Sequence, residues 1–124
     1  MLAEFLLPEI VARADGSSAA IALEGIRGKS LLLTLGITRI LEQESLDVSI
    51  WGSADEENWR LIGAFPQKFY CGTYSLCLDL SHRPEIAFLQ VQWRMGRWGC
   101  AEPEPLFGFY VSAEEAHVHV AGMA

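Results

Sequence analysis

Four side chains have the chemistry to meet a ligand: Trp51, Tyr70, Arg94 and Trp98. Aromatic faces stack on sugar rings, and a guanidinium beside them can bond hydroxyls. Trp51 falls on the polar parity of its segment, and Trp98 follows Arg97 in a Gly/Pro-rich stretch. These four form a candidate glycan-binding set. The other tryptophans read as packing residues. Trp93 shares a parity with Leu89 and Val91, while Trp59 opens a segment after a polar turn and plugs the domain end.

Other patterns resolve into structural readings. Gly25–Ser30 ends like a phosphate-binding loop, but the required earlier glycine is Leu23, and Leu31–Ile37 after it alternates like a strand. A phosphate loop needs a helix there, whose amides face the anion. The segment therefore reads as a polar turn. His117 and His119 have chelating spacing, yet a metal site needs further ligands and only Glu114 and Glu115 lie near. The tail reads as solvated and metal-free. No Gly-x-Ser-x-Gly elbow is present. Glu42, Glu44, Asp55, Glu56 and Glu57 lie in polar connections, where charges are ordinarily solvated. The expectation is a non-enzyme without cofactor.

The chain has 124 residues, with 9 Lys and Arg against 16 Asp and Glu, for a net charge of −7. That balance argues against nucleic acid, which calls for a basic stripe. Apolar residues make up 51%, enough for one self-sufficient core. No run of about 18 apolar residues exists, so no membrane helix is expected. Residues 1–10 lack the basic start of a signal peptide, and Glu4, Pro8 and Glu9 interrupt them. The expected setting is cytoplasmic. Cys71, Cys77 and Cys100 read as free thiols of a reducing compartment, the alternative being a Cys71–Cys77 bridge across a turn.

The elements that position these groups alternate with period two. Leu31, Leu33, Leu35 and Ile37 share one face; so do Leu46, Val48 and Ile50. Tyr74, Leu76, Leu78 and Leu80 form another set, as do Leu89, Val91, Trp93 and Met95, and then Phe107, Phe109 and Val111. A strand throws successive side chains to opposite faces, so each segment buries one face and wets the other. Polar connections recur every ~8–12 residues, the pattern of an all-β fold. The reading is an antiparallel two-sheet β-sandwich of jelly-roll type with about eight strands. It spans residues 9–112, between an N-terminal extension 1–8 and a C-terminal tail 113–124. Asp15-Gly16 reads as a hairpin turn joining Ile10–Ala14 to Ala19–Leu23.

Two resemblances accompany this pattern. Leu46–Trp59 resembles the strand and Ser-x-Asp-Gly-x-x-Trp turn of discoidin-like, galactose-binding-like jelly rolls, and Phe88–Trp93 resembles their Tyr-Ile/Leu-Arg-Val run. The chain is also similar to small proteins of tailed bacteriophages and prophages, through Leu31–Thr38, Leu46–Trp59, Phe65–Gln67, Phe88–Gly96 and Pro105–Val111. Glu56 stands where the turn glycine is usual, and Gln90 where an arginine is. The Gly96–Pro105 loop is longer and richer in Cys and Trp than the family pattern. The resemblance implies a sandwich and a phage-derived, virion-associated structural module. The expected function is non-catalytic, with self-association or a protein partner; the alternative is a carbohydrate-binding module.

Overall fold

The computed structural model describes residues 4–23, 28–40, 44–68, 70–97 and 106–115. Among these residues nine strands follow in chain order: β1 (Glu4–Ala12), β2 (Gly16–Ser17), β3 (Ile21–Ala22), β4 (Ser30–Ile40), β5 (Glu44–Ser53), β6 (Arg60–Ala64), β7 (Gly72–Asp79), β8 (Phe88–Arg97) and β9 (Phe107–Glu115). They form two antiparallel sheets. One has the order β1-β9-β4-β7 and the other β2-β8-β5-β6, with β3 also on β8. Taken as two pieces of one interrupted strand, β2 and β3 reduce the count to eight. The neighbour order is then that of a jelly roll, in which the chain alternates between two facing sheets.

The alternating sets supply the core. Leu31, Leu33 and Leu35 of β4 and Phe107, Phe109 and Val111 of β9 face Leu46, Val48 and Ile50 of β5 and Leu89 and Val91 of β8, all buried. Each such side chain contributes about 1.5–3 kcal/mol by leaving water. Trp93 is also inside. Its ring meets Phe109 of the opposite sheet edge-on, with centroids 5.6 Å apart. Its Nε1–H donates to the Ala14 carbonyl at 2.9 Å, which satisfies the one polar group the indole carries inward.

Asp15-Gly16 is not a hairpin turn. β1 pairs with β9, whereas β2 pairs with β8, so the chain changes sheets here. The physical reason lies in β8. Asp15 accepts the Met95 backbone N–H at 2.7 Å, and Gly16 lies against the Trp93 ring, where a Cβ would sit 2.6 Å from a ring carbon. These anchors to β8 outcompete a local hairpin.

Both ends of the sandwich reach further than the alternation implied. β1 begins at Glu4, and Leu6 and Leu7 join the core. The register slips on either side of Leu7 let both turn inward. At the other end β9 continues to Glu115 with Ala113 buried. His117 and His119 lie outside the described residues.

Candidate functional site

A cleft of about 300 Å³ opens at one end of the sandwich, between the β5–β6 turn and the β7–β8 connection. Gly52, Ser53, Asp55, Trp59, Arg60 and Ile86 are among its lining residues. Ile86 is buried and forms part of its floor, against Gly52.

The turn is organised by Asp55. Its Oδ1 accepts the backbone N–H groups of Glu57 and Asn58, each at 2.9 Å, and the Ser53 hydroxyl at 2.9 Å. Its Oδ2 accepts the Asn58 side-chain amide at 2.9 Å. Ser53, itself buried, accepts the Asp55 N–H at 3.1 Å. These donors hold the Asp55 carboxyl well below the usual carboxylate range, the Asn58 and Glu57 backbone groups leading. The group stays ionised near neutrality, so it has no proton to give as a general acid, and its lone pairs already serve the loop.

Glu56 occupies the left-handed region at φ 64°. This is the position where the resembling turn pattern has glycine, whose missing Cβ makes that conformation free of clash. Its carbonyl accepts the Trp59 indole N–H at 3.2 Å. Trp59 is half-buried and lines the cleft at the sandwich end; unlike Trp93, it stays outside the core rather than packing inside. Across the mouth, Arg60 of β6 forms an ion pair with Glu85 of the β7–β8 connection. The Glu85 carboxyl is held below its ordinary value, first by its own backbone N–H and then by Arg60.

Of the sequence-derived set, Trp51, Tyr70 and Arg94 do not line this cleft. Trp51 and Arg94 share the outer face of the β5–β8 sheet. Trp51 lies opposite Gln90, Arg94 opposite Asp47, and the Ser49–Gln92 pair separates them. Trp51 is half-buried beside Leu61, and its indole N–H donates to Ser49 at 2.9 Å. Tyr70 is exposed on the segment leading into β7, in the other sheet, where its carbonyl accepts the Tyr74 hydroxyl. Trp98 lies outside the described residues. Residue type marked these groups as available, but strand pairing sets Trp51 and Arg94 on one sheet and Tyr70 beside the other. The Arg60–Glu85 pair was missed because its members are 25 residues apart, one starting β6 and the other in the β7–β8 connection. The polar turn before Trp59 was legible from composition, and its Ser53, Asp55 and Trp59 spacing through the resemblance.

Cys71 and Cys77 are free and exposed, and Cys100 lies outside the described residues. Among the described residues, no group of three or more His, Cys, Asp or Glu side chains is placed to hold a metal ion, and no helix is long and apolar enough to cross a membrane. No family model, curated protein or solved structure matches the chain.

Proposed function

We propose that this chain is a non-catalytic structural module that works by associating with further copies of itself. The observation that carries the reading is the bonding around Asp55. The cleft at the end of the sandwich spends its carboxylate, hydroxyl, amide and indole N–H on holding its own turn. Polar groups poised for substrate would instead converge on a vacant point.

The outward surface supports association. Phe5, Val11, Leu61 and Tyr70 are large apolar side chains left 58%, 47%, 53% and 75% exposed. An open sandwich also leaves edge strands whose backbone groups can pair with another chain. The resemblance to phage and prophage proteins supports a virion setting, where identical small modules assemble in many copies. Neighbouring genes for head, tail or portal proteins would agree with that setting.

Light scattering on the full chain tests the reading. The expected result is a mass that rises with concentration above the 13.7 kDa of one chain. A strict monomer at high concentration contradicts it.

A second reading, carbohydrate binding, is favoured by the half-buried Trp51 ring beside exposed Leu61 on one sheet face. It requires tryptophan fluorescence to shift on sugar addition, and a silent glycan array removes it.

A further inference from the structure

Among the described residues the sandwich has four edges, and three carry devices that discourage pairing. β1 contains Pro8 and two register slips. β6 has five residues and a slip between Ile50 and Trp51 of its partner. β2 and β3 are two-residue pieces. Proline, bulges and short or broken strands are the usual means of blunting an edge. β7 has none of them. It runs eight residues in unbroken register with β4, without proline, lysine or arginine.

The direction of its free backbone groups follows from the ladder. Leu80 N–H donates to the Lys29 carbonyl at 3.2 Å, one pair beyond the Ser30↔Asp79 pair. Bonded pairs alternate in an antiparallel ladder, so Leu78, Leu76 and Tyr74 also bond toward β4. Thr73, Ser75, Cys77 and Asp79 therefore direct their N–H and C=O groups away from the sheet.

From this edge we infer that the partner is a second copy of the chain, joined β7 to β7 antiparallel about a twofold axis at Leu76. The inference rests on the self-association reading and names its surface. In that register Ser75 meets Cys77 of the second copy and Thr73 meets Asp79. Every outward backbone group of the four is then paired. The edge's one charged side chain faces a hydroxyl rather than a like charge. On the inner face Tyr74 meets Leu78 and Leu76 meets Leu76. Tyr74 and Leu76 are only half-buried in the single chain, so pairing extends the apolar layer over them. The strand is thus complementary to itself in backbone, charge and side-chain parity, as an isologous interface requires.

Two variants of the full chain test the inference, each made with Cys71→Ser and Cys100→Ser. Ser75→Cys places a thiol opposite Cys77 of the second copy, at the ~5.5 Å Cα spacing of a bonded pair, within disulfide reach. Mild oxidation should yield a covalent dimer on a non-reducing gel, whereas the parent with Cys77 alone should yield none. Ser75→Pro removes an N–H that points outward and bonds nothing in β4. Its scattering mass should fall to the 13.7 kDa of one chain while the strand circular dichroism persists. If Ser75→Pro fails to fold, the cross-link decides. An oligomer that persists in folded Ser75→Pro, or a Ser75→Cys chain that does not cross-link, overturns the β7 inference alone. A parent chain that is monomeric throughout overturns both it and the reading beneath it.

Discussion

Gly36 of β4 lies directly opposite Tyr110 of β9, and the tyrosine ring covers the space a Cβ would fill. Phe5 of β1 then meets the Tyr110 ring edge-on, with centroids 5.7 Å apart. The glycine lets an outward aromatic lie flat across the sheet, which covers β4 backbone that would otherwise be bare. Gly36→Ala must displace the ring and break the Phe5 contact, at a cost of about 1–3 kcal/mol in urea unfolding. The same change in a Tyr110→Ala background should cost distinctly less, because the obstacle is gone. Additive costs in the double variant would show that the ring is not what the glycine accommodates.

Glu56 gives the opposite sign. An L-residue pays about 1–2 kcal/mol in the left-handed region, and glycine does not. Part of that gain is offset by the greater freedom of glycine in the unfolded chain. Glu56→Gly should therefore stabilise the domain by about 0.5–1 kcal/mol, since its carbonyl bond to Trp59 belongs to the backbone. A destabilised variant would mean that the glutamate side chain supports the turn.

The pH dependence has a definite direction. Asp55, Asp79, Glu85 and Glu115 are all held below their ordinary values. Asp79 is lowered first by the Ser81 hydroxyl and Glu115 first by Lys29. In the window between ordinary and folded values the unfolded chain binds more protons. The stability these groups add is complete above their ordinary values of 3.8 and 4.5 and is lost as pH falls through the folded values. The urea midpoint should hold near neutrality and drop on acidification. Asp55→Asn should start lower at neutral pH and lose less in acid. Parallel curves for parent and variant would deny Asp55 its role in the turn.

Much of this architecture was legible from alternation alone. Leu31–Ile37, Leu46–Ile50 and Phe107–Val111 each declare an inner face, and Trp93 was placed inside by its parity with Leu89 and Val91. What alternation cannot carry is pairing over distance. Asp15-Gly16 looked like a local hairpin because its true anchor, Met95, lies 80 residues away. The cleft was hidden for the same reason, since topology alone brings Glu85 to Arg60. Trp51 and Arg94 come to one sheet face and Tyr70 to the other sheet, because exposure is a property of each residue, whereas a site is a property of the pairing between strands.

Thiol chemistry checks which face of β7 carries Cys77. With Cys100→Ser, the native chain should show two thiols, Cys71 and Cys77, that react with a disulfide reagent about as fast as in urea. Cys77 keeps its side chain on the outer face even when the strand edge is paired. Slow labelling of both residues would place them inside a contact or a bridge.

The central claim is that the chain associates with itself, and its mass in solution tests this most directly. Sedimentation equilibrium of the full chain across a hundredfold concentration range should show the mass climbing from one chain toward twice 13.7 kDa. A value of 13.7 kDa at every concentration would contradict the account.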